Sequence, residues 1–203
     1  MSALHQCDIS IIIPVYNLEH WITPMLESLK AQQTTYDVEY IFVLNNCTDK
    51  SEEVIRESGL DCTILNCTEQ GCGCARNVGF ENSHGNYIWF LDGDDWLTDS
   101  RAIQQVLTVA IVNDLKILRI PYMSETYRQY YWSMVWQYLF KREVIEDIRF
   151  RKTQPAEDDV FMQQVFAKIG NTVPSIDRAL YFYNYMREGS NMYRVYHGED
   201  INK

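Results

Sequence analysis

The sequence predicts an α/β fold in which helices flank a mixed, mostly parallel β-sheet. Short runs rich in β-branched residues alternate with segments of helical character through the first 120 residues, which is the pattern of such sheets. The alternation then stops, and residues 122–140 contain eight aromatic residues among nineteen. At 203 residues the chain is long enough for one full core. We therefore expect a single domain over residues 1–203, with an α/β part over about 8–121 and a short C-terminal elaboration over about 122–203.

The first strand is expected over residues 9–15, where four isoleucines and a valine favour extended backbone. Apolar residues recur at helical spacing over residues 19–32, which predicts the first helix. The second strand is expected over residues 38–44, a run with a single charged residue. The alternation continues with helices expected at residues 50–58, 74–83 and about 100–113. It includes further strands at residues 62–66, 87–91 and 116–120.

Capping residues support two of these helices. Thr48 or Asp49 can cap the second helix, and Gly59 ends it. Asp99 or Ser100 can cap the last helix of this half. In sheets of this kind ligands bind at the carboxyl ends of the strands, so the residues directly after each strand are the most informative about function.

The second half shows a different pattern. Helices are expected over residues 133–146 and 157–168, followed by a tyrosine-rich strand over 179–187. The aromatic residues of 122–140 are expected mainly to bury this C-terminal layer.

Composition excludes several classes of protein. The net charge of −10 makes the chain a poor binder of nucleic acid. No run approaches the roughly 18 apolar residues of a membrane-spanning helix, and no secretory signal is visible, so the expected location is cytoplasmic. The six cysteines contain no Cys-x-x-Cys pair and are expected to be reduced thiols in small buried sites.

The acidic residues are concentrated in the first half. Residues 1–100 carry 4 basic and 16 acidic residues, a charge of −12, whereas residues 101–203 carry 14 and 12, a charge of +2. Three carboxylates lie in the turn at residues 92–95, directly after a predicted buried strand. Hard divalent ions take carboxylate oxygens, so a metal–diphosphate site is favoured over an ordinary Asp-Gly turn. An EF-hand is excluded, because its twelfth position would hold Ile103 or Gln105 instead of glutamate.

The other strand ends carry aromatic and polar side chains. Tyr16 can offer a flat face to a nucleobase or simply cover the sheet edge. An amide oxygen of Asn45 or Asn46 can accept the N3–H of a uracil, or the two residues can form a plain turn. The glycine-rich loop at 71–73 places Arg76 near a helix N-terminus, which favours a phosphate. Neither a Gly-x-Gly-x-x-Gly after the first strand nor a Walker A motif is present, which disfavours a nicotinamide or flavin enzyme.

The order and spacing of these motifs resemble glycosyltransferase family 2. The likeness is carried by residues 11–17 (IIIPVYN), 45–49 (NNCTD), 75–79 (ARNVG) and 90–97 (FLDGDDWL). It continues through residues 135–136, 142–143, 157–161 and 187–190, and covers roughly residues 9–191. The resemblance implies the GT-A fold, with a nucleotide-sugar-binding part over about 8–121 and an acceptor-side part over about 122–203.

The resemblance also implies a donor site for a nucleoside-diphosphate sugar, expected to be a UDP-sugar. Pro14 and Tyr16 match the wall against the nucleobase. Asn46 stands where the family usually has an aspartate that reads uracil, which leaves the choice of base open. Arg76 matches the arginine beside the diphosphate.

The same resemblance implies a site for a divalent metal ion. Asp92 and Asp94 match the D-x-D pair that handles the ribose and a Mn²⁺ or Mg²⁺ ion. Asp95 is expected to share or take over the metal role. A divalent cation stabilises the charge that develops on a leaving diphosphate.

The implied reaction is transfer of the sugar to an acceptor hydroxyl with inversion. Asp158 matches the general base, and Glu157 or Asp159 is the alternative. A hydroxyl is a weak nucleophile and needs a positioned carboxylate to take its proton. These acidic residues can equally well begin a helix and complement its dipole.

The acceptor is an unknown glycan, lipid-linked glycan or other hydroxyl compound. Trp132 and Trp136 are candidates to stack on it. The cationic run from Lys141 to Lys152 is expected to be a solvated face, with an anionic acceptor or a peripheral position at a membrane surface as the alternative.

Two other functions stay open at this point. A nucleotidyltransferase usually has a glycine-rich, basic loop after the first strand, whereas residues 16–19 here are Tyr-Asn-Leu-Glu. A nucleotide-sugar-binding module without turnover is favoured by Asn45 and Asn46, which replace the usual acidic pair of the family.

Overall fold

Nine strands and six α-helices lie within the part of the chain that this computed structural model describes, residues 7–125, 134–151, 157–185, 187–190, 193–194 and 197. The strands are β1 (Ile9–Val15), β2 (Val38–Asn45), β3 (Thr63–Cys67), β4 (Tyr87–Phe90), β5 (Trp96–Leu97), β6 (Ile117–Arg119), β7 (Tyr122–Met123), β8 (Tyr138–Lys141) and β9 (Tyr181–Phe182). The helices are α1 (Thr23–Lys30), α2 (Ser51–Glu57), α3 (Cys72–Glu81), α4 (Ala102–Val112), α5 (Arg142–Ile145) and α6 (Glu157–Ile169). A 3₁₀ turn (Val135–Gln137) comes directly before β8.

Six of the strands form a mixed sheet in the order β3-β2-β1-β4-β8-β6. The first four of these pair in parallel, and β8 runs antiparallel between β4 and β6. The register aligns Ile12 with Ile41 on β2 and with Phe90 on β4. A second sheet of three strands, in the order β5-β9-β7, connects the segment after β4 with the C-terminal part. The predicted fold class is confirmed.

Helices cover both faces of the main sheet, so β1 is buried along its whole length. Ile9, Ile11 and Ile13 belong to a core cluster with residues of α1 and α4, whereas Ile12 packs with α3, α5 and α6. This alternation follows from the two-residue period of a strand. Gly79 lets α3 approach the sheet closely, because a Cβ there would lie 2.4 Å from Cγ2 of Ile12.

The helix predicted over residues 133–146 is wrong. From residue 134, where the described part resumes, the chain forms the 3₁₀ turn, then β8, then the short helix α5. Leu139 and Phe140 are buried in different core clusters, on opposite faces of an inner strand. Pairing with β4 and β6 therefore overrides the local helical pattern.

The remaining differences concern very short strands. The strand predicted over residues 179–187 is limited to the two residues of β9. The sequence does not predict β5 or β7, because two residues give no readable periodicity. None of the helices in the described ranges has the length and apolar character needed to cross a bilayer.

Candidate active site

The carboxyl ends of β1, β2 and β4 lie side by side at one edge of the sheet, as their parallel pairing requires. Tyr16 and Asn17 follow β1, Asn46 follows β2, and Asp92 comes shortly after β4. The sheet thus brings together side chains that belong to separate motifs in the sequence.

The loops after β1 and β2 are tied to each other. The side chain of Asn17 accepts a hydrogen bond from the backbone N–H of Thr48 at 2.8 Å and donates one to the Thr48 hydroxyl at 3.3 Å. Asn17 and Asn46 adopt left-handed backbone conformations, with φ of 49° and 55°, which asparagine tolerates better than most residues. Tyr16 is 52% exposed beside these loops and is accessible to a ligand. Pro14, by contrast, is buried within β1.

The two asparagines after β2 have different environments. Asn45 is buried, donates to the carbonyl of Glu69 at 2.6 Å and accepts from the backbone N–H of Gly71 at 2.9 Å. It therefore fixes the loop between β3 and α3. Asn46 is exposed and donates its amide nitrogen to the carbonyl of Thr68 at 3.3 Å. This bond uses the amide nitrogen of Asn46 and not its amide oxygen.

The three aspartates of the acidic turn, residues 92–95, differ in exposure. The side chains of Asp92 and Asp94 are 28% and 17% exposed, whereas Asp95 is 1% exposed. Asp94 accepts a hydrogen bond from Nε of Arg187. Burial raises the pKa of Asp94, and the positive charge of Arg187 opposes that rise. Asp92 and Asp94 are therefore partly accessible to solvent, whereas Asp95 is not.

Asp95 is held inside the protein. Its carboxylate accepts hydrogen bonds from the hydroxyl of Tyr181 and from the backbone N–H of Asn184, the latter at 2.8 Å. Burial, with the charges of Asp94 and Asp92, raises the pKa of Asp95 well above its ordinary value. This position does not favour the metal role expected for Asp95; it is that of a buried support for the acidic turn.

Arg76 joins the acidic turn to the helix that carries the predicted base. Its guanidinium is buried and donates to Oδ1 of Asp92 at 2.7 Å and to Oδ1 of Asp158 at 2.9 Å. It also lies 3.8 Å from Oε1 of Glu157 and 5.4 Å from the centre of the Phe150 ring. Charge-assisted hydrogen bonds of this kind are among the stronger ones in proteins. In this structure Arg76 therefore binds carboxylates at the position where the sequence analysis expected a phosphate.

Asp158 lies in the first turn of α6 and is also held by the 3₁₀ turn. The backbone N–H of Val135 donates to its Oδ2 at 3.1 Å. Burial raises the pKa of Asp158 to about 6, the charge of Arg76 lowers it, and the charges of Asp92 and Glu157 raise it. A carboxylate with such a pKa is mostly ionised at neutral pH and remains basic enough to accept a proton.

Trp136 packs inside the C-terminal layer. It is 2% exposed, and its ring stacks on Tyr181 and Tyr183 with centroid distances of 4.7 Å and 4.9 Å. This position does not favour the acceptor contact expected for Trp136. Trp132, the other expected acceptor residue, lies outside the described residues.

In the basic run that begins at Lys141, two residues pair with acidic neighbours, whereas Arg142 donates to the carbonyl of Gly85 and the hydroxyl of Ser83. Nζ of Lys141 lies 2.8 Å from Oδ1 of Asp114, and Nε of Arg149 lies 3.3 Å from Oε1 of Glu81. Lys152, at the end of the run, lies outside the described residues. Such pairs are typical of a solvated face.

The carboxylates of the acidic turn fit a divalent ion that arrives with a phosphate-bearing ligand. Within the described ranges, no group of three or more His, Cys, Asp or Glu side chains is placed to hold a metal ion by itself. Mg²⁺ and Mn²⁺ commonly take one or two protein carboxylates and complete their shell with substrate phosphates. Asp92 and Asp94 supply such oxygens, and Asp94 already has a cationic group, the guanidinium of Arg187, against it.

The residues that hold the acidic turn are those that sequence reasoning missed. Tyr181, Asn184 and Arg187 come from the C-terminal part, and their partners lie 86 to 93 positions earlier in the chain. Arg187 belongs to the stretch at 187–190 that carried part of the family likeness but received no role. No local signal distinguishes Tyr181 from the neighbouring tyrosines.

Comparison with known proteins agrees with the motifs. The model of the family described as "Glycosyl transferase family 2" matches residues 10–172. The glycosyltransferase GlyA of Streptococcus pneumoniae serotype 4 (strain ATCC BAA-334 / TIGR4) is 26% identical over 218 residues, covering 90% of this chain and 31% of GlyA. The chain thus spans about a third of that curated relative.

Solved structures show the same fold. The structure of S. aureus TarS 1-349 in complex with UDP-GlcNAc has a TM-score of 0.77 at 21% identity, covering 92% of this chain and 60% of that one. The mannosyltransferase PcManGT from Pyrobaculum calidifontis, in complex with GDP-Man and Mn²⁺, has a TM-score of 0.75 at 16% identity, covering 94% and 61%. At these identities the likeness shows the GT-A fold alone.

Proposed function

Because the chain belongs to glycosyltransferase family 2 and is a glycosyltransferase, we propose that it moves a sugar from a nucleoside-diphosphate sugar to an acceptor hydroxyl with inversion. The observation that carries this proposal is the placement of Asp158. This partly buried carboxylate, with a pKa of about 6, is linked through a single side chain, Arg76, to the acidic turn. Membership of the family favours this reaction over the nucleotidyltransferase considered above.

We assign the nucleobase to Tyr16 and Asn46. The exposed ring of Tyr16 offers a stacking face, and the amide oxygen of Asn46 offers a hydrogen-bond acceptor. The TarS complex contains UDP-GlcNAc and the PcManGT complex contains GDP-Man. Uracil and guanine each carry a ring N–H that such an oxygen accepts, whereas cytosine and adenine present a ring nitrogen acceptor there. A UDP-sugar is the first donor to test, and a GDP-sugar is the second.

We assign a Mn²⁺ or Mg²⁺ ion to Asp94, with Asp92 beside the ribose and diphosphate and Asp95 as support for the turn. When bound, such an ion supplies Lewis-acid stabilisation of the charge on the departing diphosphate. The Mn²⁺ in the PcManGT complex supports this assignment. Arg187, which bonds Asp94 in this structure, has to share or release that carboxylate when an ion binds.

Asp158 is the general base in this proposal. Its carboxylate takes the proton of the acceptor hydroxyl while the acceptor oxygen forms a bond to the anomeric carbon. The bond between that carbon and the diphosphate oxygen breaks, and the nucleoside diphosphate leaves with the electron pair. Attack from the face opposite the leaving group inverts the anomeric centre. The two hydrogen bonds that Asp158 accepts occupy part of its capacity, because a carboxylate has about four acceptor positions.

A donor screen followed by a metal test examines the proposal. UDP-, GDP-, TDP- and CMP-sugars are compared by thermal shift with Mn²⁺, since a ligand of the folded state raises its melting temperature. Hydrolysis or transfer of the best donor is then measured with Mn²⁺ and with chelator. We expect turnover that needs the ion and a strong loss of it in Asp94→Asn. The exposed Asp114 provides a control, Asp114→Asn, that should behave like the wild type.

Two results would contradict parts of this assignment. Unchanged turnover in chelator would remove the metal role. Tight donor binding without turnover, unaffected by Asp158→Asn, would instead identify a nucleotide-sugar-binding module.

A further inference from the structure

The C-terminal part of the chain holds the acidic turn at several points. The hydroxyl of Tyr181, on β9, donates to Oδ2 of Asp95 and accepts a hydrogen bond from the backbone N–H of Asp92 at 3.2 Å. A single hydroxyl therefore connects the first and last residues of the turn.

Asn184, three residues further along, adds two more contacts. Its backbone N–H donates to Oδ1 of Asp95 at 2.8 Å, and its side-chain nitrogen donates to the carbonyl of Asp94 at 3.2 Å. With Tyr181, it engages both carboxylate oxygens of Asp95 and the backbone on either side of Gly93. The backbone of the turn is thus fixed from the C-terminal side while Asp92 and Asp94 stay partly exposed.

Packing alone does not account for the Tyr181 hydroxyl. Tyr181 is fully buried, and its ring stacks on Trp136, a contact that phenylalanine would also make. A buried carboxylate such as Asp95 is costly to desolvate, and replacing buried polar pairs with apolar residues is often neutral or stabilising. The Tyr181–Asp95 pair is therefore better explained by the geometry it imposes than by stability.

We propose that Tyr181 is a positioning residue for the donor site, an inference that rests on the proposed function. By bonding Asp95 and the Asp92 amide at once, its hydroxyl sets the conformation in which Asp94 meets the divalent ion. Partners that orient a metal ligand in this way typically change metal affinity by 10–100-fold when they are removed.

The test removes only the hydroxyl, in Tyr181→Phe, and measures binding as well as rate. The affinity for Mn²⁺ in the presence of UDP is followed by the EPR signal of the free ion, and UDP binding in chelator is followed by calorimetry. We expect Mn²⁺ affinity to fall by about 10-fold, UDP binding in chelator to be unchanged, and saturating Mn²⁺ to restore most of the transfer rate. The control is Tyr87→Phe, because Tyr87 is also buried but lies at the opposite end of β4.

A second variant keeps the inference testable if Tyr181→Phe does not fold. Asn184→Ala removes the bond to the Asp94 carbonyl on a partly exposed residue, and we expect a smaller loss of Mn²⁺ affinity. Folded variants that bind Mn²⁺–UDP as tightly as the wild type would overturn the positioning role. A wild-type protein that binds neither Mn²⁺–UDP nor Mn²⁺–GDP would instead overturn the proposed donor site, and the positioning role with it.

Discussion

Arg76, which is buried, and Asp158, which is partly buried, form an ion pair in which Nη1 of the guanidinium donates to the carboxylate at 2.9 Å. The other terminal nitrogen of the same guanidinium donates to Asp92 at 2.7 Å. Asp92 belongs to the acidic turn and Asp158 to α6, so the side chain of Arg76 connects these two segments. The negative charge of Asp92 raises the pKa of Asp158, and the positive charge of Arg76 lowers it.

The pH dependence of catalysis follows from the position of Asp158. Burial raises its pKa to about 6, and the base that we propose must be ionised to accept a proton. We expect kcat/KM to rise with pH, to reach half of its maximum at about pH 6, and then to level off. Initial rates at low donor concentration and constant ionic strength measure this profile. A midpoint at about 4, the value of a solvated aspartate, would contradict the buried base.

Two substitutions of Arg76 separate its charge from its geometry. Arg76→Gln removes the positive charge that lowers the pKa of Asp158, so the midpoint of the rise of kcat/KM with pH should move to higher pH. Arg76→Lys keeps a positive charge, so the pH midpoint of kcat/KM should move less than in Arg76→Gln. The maximal kcat/KM should still fall, because lysine lacks the planar guanidinium that bonds two carboxylates at once. Chemical denaturation should show that Arg76→Gln loses about 2 kcal/mol of unfolding free energy, because two partly buried carboxylates lose their counter-charge.

The control for these variants is Arg56→Gln. Arg56 is an exposed residue of α2, and among the ion pairs described it pairs only with Glu52. The control variant should leave both the pH profile and the stability close to those of the wild type. An unchanged pH midpoint of kcat/KM in Arg76→Gln would show that Arg76 does not set the pKa of Asp158.

The main sheet was largely predictable from local sequence, except for β8, where a helix was expected. All of β1 and the second half of β2 are mostly apolar and buried on both faces, so composition alone indicates these strands. Tyr138–Lys141 has the same apolar character but sits in a stretch with helical spacing. Its conformation depends on β4 and β6, which are distant in sequence, and no local pattern contains that information.

The site shows a similar limit. The acidic turn was predictable because its residues follow a strand, but the local sequence does not indicate that Asp95 is buried while Asp92 and Asp94 are partly exposed. Asp95 lies inside because Tyr181 and Asn184 bond it from the C-terminal part. Arg76 likewise faces two carboxylates, one of which, Asp158, comes from a helix 82 residues later.

The role of Asn46 can be tested by changing only its hydrogen-bonding atoms. Asn46→Asp keeps an acceptor oxygen and should bind UDP with an affinity similar to that of the wild type. Asn46→Ala removes the acceptor and should weaken UDP binding by roughly fivefold, the equivalent of about 1 kcal/mol for one hydrogen bond. Calorimetry with UDP and Mn²⁺ measures this difference. Asn113→Ala, at an exposed asparagine after α4, is the matched control.

A cytidine nucleotide serves as the control ligand, because its N3 is an acceptor and gains nothing from the Asn46 oxygen. Its binding should be equally weak to the wild type and to Asn46→Ala. If Asn46→Ala bound UDP as tightly as the wild type, the nucleobase would have to be read elsewhere.

The identity of the base rests on a comparison of Asp158 with its neighbour Glu157. Asp158→Asn should lower kcat by about 10²–10⁴-fold, the usual contribution of a general base, and leave UDP binding intact. Glu157→Gln removes a negative charge that raises the pKa of Asp158, so the pH midpoint of kcat/KM should move to lower pH. Its loss of kcat should be smaller than that of Asp158→Asn. Single-turnover rates and UDP calorimetry on both variants measure these effects. Retained turnover in Asp158→Asn together with its loss in Glu157→Gln would transfer the role of base to Glu157, whose carboxylate lies 3.8 Å from the same guanidinium.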